Sequence, residues 1–128
     1  MNKNKITIII NKPIEEVFEF TTNPKKTHLW ISQIEEEIAD SFPPKLGTIY
    51  KNHGKDKQWN FYKVIELERN KIFTLEASDN NYFVRYTYKK AGEKKTELEY
   101  FEWVTNGEID SPFTKDILVK LKEIIESN

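Results

Sequence analysis

Glu102 is the residue whose type and setting come nearest to reactive chemistry. It lies in TELEYFEWV, Thr96 to Val104, a segment that reads as one β-strand with large apolar side chains on both faces. Alternation puts Thr96, Leu98, Tyr100, Glu102 and Val104 on one face, and Glu97, Glu99, Phe101 and Trp103 on the other. If Leu98 and Tyr100 point inward, a carboxyl group goes in with them. A carboxyl held among apolar neighbours has a raised pKa and can act as general acid or base, or anchor a polar group of a ligand. Tyr82, Tyr86 and Tyr100 would then offer hydroxyls to a developing oxyanion. The plainer reading is a carboxylate near the rim of the fold, solvated or bonded to a tyrosine hydroxyl.

Other reactive constellations are absent. The only histidines, His28 and His53, stand apart, without the His-x-His, His-x-x-x-His or carboxylate spacing of a zinc site. His53 beside Gly54 reads as an exposed turn residue. The chain has no Cys, hence no disulfide, thiolate zinc site or Cys nucleophile. Four scattered glycines build neither a phosphate loop nor a dinucleotide fingerprint. No metal and no cofactor is expected.

The net charge of −1, with short Lys pairs interleaved with Glu and Asp, argues against a nucleic-acid partner. The apolar run after MNKNK is too short for a signal peptide and ends in Asn-Lys-Pro, and no stretch has the length of a membrane span. A cytoplasmic domain without membrane insertion is the expectation. A chain of 128 residues is one domain, 1–128, by size. Its 8 Phe, 6 Tyr and 3 Trp against 1 Met are a heavy aromatic load for such a core.

The elements that must position these side chains follow from period and punctuation. KITIII is a β-branched first strand. NKPIEEVFEFTT then switches to helical spacing, with Pro13 at the start, Glu15 and Glu16 in the first turn, and Ile14, Val17, Phe18 and Thr21 on one face. A second short helix follows Asn23-Pro24. From Ser32 onward the chain reads as hairpins, with Trp59, Phe61, Ile65 and Leu67 alternating against Asn60, Tyr62, Val64 and Glu66. SPFTKDILVKLKEIIESN closes the chain as an amphipathic helix capped by Ser111, its stripe running through Phe113, Ile117, Leu118, Leu121, Ile124 and Ile125. The order is β-α-α-β6-α. Such an order implies an α+β fold, an antiparallel sheet curved around the long C-terminal helix.

The hairpin around KKAGEKK decides which strand face is inside. An odd loop of three residues sets Arg85 across from Glu99, and one of five sets Lys89 across from Glu97, so both pair opposite charges on the outer face. Either places Tyr82, Val84, Tyr86 and Tyr88 on the inner face with Leu98, Tyr100 and Glu102. Phe83, Phe101 and Trp103 then form an aromatic patch on the convex face, the kind of surface that mediates an interface or a homodimer.

Together these features resemble the START-like helix-grip superfamily, also described as polyketide cyclase/dehydrase and lipid-transport proteins (SRPBCC). The likeness is carried by Ile6, Ile8 and Ile10 running into KPIEEVFEF, by NP and Trp30 in HLWI, by Gly47-Thr48, by YKVIELE, and by Thr96 opening the last strand before the long helix. It spans essentially the whole chain. The resemblance implies a cavity between the sheet and the C-terminal helix that takes hydrophobic small molecules, with catalysis in a minority of members and protein partners in some branches. The cavity wall would comprise Tyr50, Tyr82, Tyr86, Leu98, Tyr100, Glu102, Leu118 and Leu121. The reading is binding and sequestration or transfer of a hydrophobic or aromatic, lipid- or polyketide-like molecule. The alternatives are an interaction module using the aromatic patch, or a cyclase-, dehydratase- or hydrolase-like enzyme using Glu102.

Overall fold

In a computed structural model, which describes residues 1–127, the strands form one sheet. The elements are β1 (Lys3–Ile10), α1 (Ile14–Thr22), α2 (Thr27–Trp30), β2 (Glu36–Ala39), β3 (Ile49–His53), β4 (Asn60–Glu68), β5 (Ile72–Ala77), β6 (Tyr82–Gly92), β7 (Lys95–Val104) and α3 (Lys115–Glu126). The seven strands run in the order β1-β7-β6-β5-β4-β3-β2, antiparallel throughout. This is the α+β order expected from the sequence.

β1 turns Ile8 and Ile10 into the core while Lys5, Thr7 and Ile9 face out. Pro13 then starts α1 as its cap residue, and its carbonyl accepts the N–H groups of Glu16 and Val17 at 3.0 and 3.2 Å. Proline suits that place because its own missing N–H has no helical partner to lose. Val17, Phe18 and Thr21 of α1 are buried, and the helix packs on β6 and β7.

The β6–β7 hairpin adopts the register that sets Lys89 opposite Glu97 and Tyr86 opposite Tyr100. Of the two odd loops, this is the five-residue spacing. A bulge between Lys90 and Gly92 then tightens it, so that Gly92 pairs with Lys95. Tyr86, Tyr88, Leu98, Tyr100 and Glu102 are all buried on the inner face.

In β4 the simple alternation fails. The register shifts between Val64 and Glu66, so one extra residue lies at Ile65. Tyr62 and Val64 point inward before the bulge and Leu67 packs on the core after it, whereas Trp59, Phe61 and Ile65 are left exposed. Glu66 turns outward, where it accepts bonds from Thr74 and Arg85 at 2.8 and 3.2 Å.

α3 starts at Lys115 with Thr114 as its cap residue, so Ser111 is not the cap. The cause lies in Phe113, whose N–H is held by Glu102 and whose carbonyl is held by Asn4. Those backbone groups are committed to the sheet, and the helix begins beyond them. Leu118, Leu121 and Ile125 are buried, each contributing about 1.5–3 kcal/mol by leaving water. Two lysines of α3 also close the edge of the sheet: Lys115 and Lys122 donate to the carbonyls of Thr7 and Ile9, each at 2.9 Å. Unpaired edge carbonyls are templates for aggregation, and a lysine across them blunts that hazard.

Candidate functional site

A cavity of about 100 Å³ lies between the inner face of the sheet and the α1–α2 segment. Tyr50, Tyr62, Tyr82, Tyr86 and Tyr100 form most of its wall, five of the 6 tyrosines in the chain. Phe73, Leu75 and Val84 add apolar surface from β5 and β6, and Thr21, Thr27 and Ile31 close it from the helices. Phe113 seals the end nearest α3, its ring stacked on Tyr100 with centroids 4.1 Å apart.

The polar anchor of this cavity is Glu37, on the short edge strand β2. Glu37 and Asn52 are register partners across β2 and β3, and both line the cavity. Asn52 Nδ2 donates to Glu37 Oε2 at 3.0 Å, and the Thr27 hydroxyl donates to Oε1 at 2.5 Å. The residue is half-buried, but its carboxylate is deep enough that desolvation raises its pKa, against the lowering effect of the Thr27 and Asn52 bonds. Among the described residues, no lysine, arginine or histidine lines the cavity.

The Glu37 charge reaches the phenols around it. Burial is the main cause that pushes Tyr50, Tyr62 and Tyr86 above the ordinary tyrosine range, and the Glu37 charge adds to each. Tyr50 spends its hydroxyl on the Thr22 carbonyl at 2.7 Å, and Tyr82 donates to Glu102. Among the described residues, the Tyr62 and Tyr86 hydroxyls have no such partner.

Glu102 is fully buried, yet it does not line the cavity. It accepts from the Tyr82 hydroxyl at 2.5 Å, from Asn4 Nδ2 at 2.8 Å and from the Phe113 N–H at 2.7 Å. The carboxylate therefore joins β6, β1 and the entry to α3 at one point. Leu98, Leu118 and Leu121 are likewise core residues outside the cavity wall, whereas Tyr50, Tyr82, Tyr86 and Tyr100 are in it. The expected cavity beneath α3 is displaced toward α2 and β2. The space under α3 is taken by its own leucines and by the Phe113–Tyr100 stack.

Sequence reasoning missed Glu37, Asn52, Thr27 and Phe113. On β2 the apolar Ile38 is 41% exposed, while its neighbour Glu37 faces in. The one available signal was the pairing of EEIA with IYKNH, which sets Glu37 against Asn52. His53 is also corrected: it is buried, its Nε2 3.0 Å from Glu36 Oε1 and its ring edge-on to Trp59.

On the outer face Phe83, Trp103 and Phe101 form a continuous stack, with centroid spacings of 5.0 Å at both steps. They are half-buried rather than exposed, because Lys5 lies over Phe101 and Arg85 over Trp103. Among the described residues no group of His, Cys, Asp or Glu is arranged to hold a metal ion, and no helix is long and apolar enough to cross a membrane.

No family model matches the chain, and no curated protein matches it in sequence. Solved structures do resemble it. A START superfamily protein from Mycobacterium smegmatis superposes with a TM-score of 0.77 at 10% identity, over 99% of each chain. The Aha1 dimer from Colwellia psychrerythraea gives 0.69 at 17% identity, over 98% of this chain and 97% of that one. Norcoclaurine synthase from Thalictrum flavum, solved with dopamine and hydroxybenzaldehyde, gives 0.68 at 12% identity, over 98% of this chain and 84% of that one. Likeness at these identities establishes the fold, and the fold is the START-like helix-grip.

Proposed function

We propose that this helix-grip chain binds a small hydrophobic or aromatic molecule in its tyrosine-lined cavity and sequesters or transfers it in the cytoplasm. The observation that carries this reading is the cavity itself. Five tyrosines enclose it with Phe73, Leu75 and Val84, and the core has not closed over the space. Burial of apolar ligand surface drives binding at roughly 25 cal/mol/Å². A ligand losing about 200 Å² would gain about 5 kcal/mol before the cost of association is subtracted. Glu102 has three donors on it and serves best as a structural tie, which weakens the enzyme reading.

Mass spectrometry of the purified protein, under native conditions and after organic extraction, tests the proposal. A discrete co-purified molecule, or a ligand-dependent rise in Tm in a screen of small aromatics and acyl compounds, supports it. An empty protein whose Tm no compound moves would overturn it.

A second reading, self-association, rests on the Phe83–Trp103–Phe101 stack on the outer face. The Aha1 neighbour was solved as a dimer. Sedimentation of the wild type against Phe101→Ser/Trp103→Ser tests it. A dimer that the folded double variant loses supports this reading, and a monomeric wild type rules it out.

A further inference from the structure

We infer that the cavity selects a small amine, a short apolar chain or very small ring carrying one ammonium group, and that Glu37 is the residue that receives the ammonium. The inference rests on the ligand-binding reading above and adds the chemical class of the ligand.

Four observations on one site carry it. The first is charge. Glu37 is a partly desolvated carboxylate facing a cavity that, among the described residues, no lysine, arginine or histidine lines. A carboxylate taken out of water costs free energy unless it is paired and hydrogen-bonded. Here the hydrogen bonds are half-made: Thr27 and Asn52 supply one donor each, and a carboxylate has about four lone-pair sites. The missing partner is a cation.

The second is the wall. Tyrosine faces carry negative quadrupole potential and attract an ammonium group, most strongly where water is excluded. The same rings repel an anion. The third is the pair of phenols without a protein partner, Tyr62 and Tyr86, both within the field of Glu37. An ammonium has three N–H donors and no acceptor. One carboxylate oxygen and two phenol oxygens are acceptors of the matching kind. The fourth is size. A cavity of about 100 Å³ is smaller than the roughly 150 Å³ that takes a benzene ring, so it holds at most a short chain or a very small ring. A long acyl chain or a sterol does not fit.

The energetics favour pairing in this setting. In most ion pairs both partners are stripped of water on association, which offsets the attraction. Glu37 has already lost part of its water in the folding of the chain, so less of the pair's desolvation cost is left to binding. The interaction of the cation with Glu37 is charge-assisted, roughly twice as strong as a neutral hydrogen bond.

The test is calorimetric titration of the whole chain with three matched short-chain probes: butylamine, butan-1-ol and pentanoate. The wild type is expected to bind the amine about ten- to a hundredfold more tightly than the alcohol, with the carboxylate weakest. Glu37→Gln should lose that preference while retaining the alcohol within a few-fold. If amine and alcohol bind the wild type equally, the inference falls and the cavity reading stands. If no probe binds or shifts Tm, the inference falls, and the cavity reading is decided by the wider screen and the mass spectrometry above. The wild-type ranking alone decides the matter should Glu37→Gln fail to fold.

Discussion

Tyr82 and Glu102 are diagonal neighbours across the β6–β7 ladder, and the Tyr82 hydroxyl donates to Glu102 Oε1 at 2.5 Å. The other oxygen takes Asn4 Nδ2 and the Phe113 N–H, while the same Asn4 amide donates to the Phe113 carbonyl at 2.9 Å. A closed set of bonds therefore fixes where β1 lies, where α3 begins and how one cavity phenol is aimed.

Glu102→Ala removes the acceptor of the Tyr82 hydroxyl, of the Phe113 N–H and of one N–H of the Asn4 amide, which keeps its bond to the Phe113 carbonyl. The expected loss is about 3–5 kcal/mol in urea unfolding, with a smaller loss for Glu102→Gln, which keeps one acceptor oxygen. A double-mutant cycle with Tyr82→Phe should give a coupling of about 1 kcal/mol or more. Near-wild-type stability of Glu102→Ala would show that the tie carries no load.

His53 should titrate above the ordinary histidine value of 6.5, because the Gly54 carbonyl and the Glu36 carboxylate both accept from it. Only the doubly protonated ring satisfies both acceptors. A histidine raised in the folded state contributes stability that is fully present below 6.5 and is lost as pH rises through the folded value. The imidazole resonances of the wild type against Glu36→Gln measure this. A variant pKa that fails to drop removes Glu36 as a cause.

How much of this could be read from the sequence depended on whether the signal was local. The inner face of β6 and β7 was legible because opposite charges on the outer face, such as Lys89 and Glu97, agree with only an odd loop. The order of elements was legible for the same reason, since each boundary carries its own Pro, Gly or change of period. The bulge at Ile65 left no such mark, and it sends Leu67 to the face that strict alternation assigned to Val64. Glu37 was invisible for a different reason. Its burial follows from which residue of β3 it opposes, and a four-residue edge strand carries too little pattern to fix that pairing. Likewise nothing in SPFTK announces that Phe113 is held by a carboxylate distant in sequence.

Gly54 is required for space. A Cβ built there would stand 2.4 Å from the Gln33 backbone oxygen, in the segment between α2 and β2. Backbone cannot swing aside as a side chain can, so Gly54→Ala should cost about 1–3 kcal/mol. The disturbance should reach Glu35, whose N–H bonds the His53 carbonyl at 2.9 Å, and should show as faster hydrogen exchange at Glu35 and His53. Unchanged exchange there would mean that the loop yields without strain.

Glu37→Gln should stabilise the protein at neutral pH. Desolvation raises the Glu37 pKa from its ordinary 4.5, so between that value and the folded one the native state holds a proton that the unfolded chain has released. Stability linked to this group is therefore full below 4.5 and falls as pH rises through the folded value. The phenols that face it, Tyr50, Tyr62 and Tyr86, are themselves pushed upward and stay neutral across that range, and Thr27 and Asn52 do not titrate. Glutamine can keep an oxygen toward Asn52 and turn its amide to the Thr27 hydroxyl, so the variant loses the charge without losing the contacts. Urea unfolding of both proteins from pH 4 to 8 should give curves that converge at the acid end, with the variant above the wild type at pH 7. A wild-type curve that stays above the variant at pH 7 would mean that the carboxylate is stabilised in the empty fold.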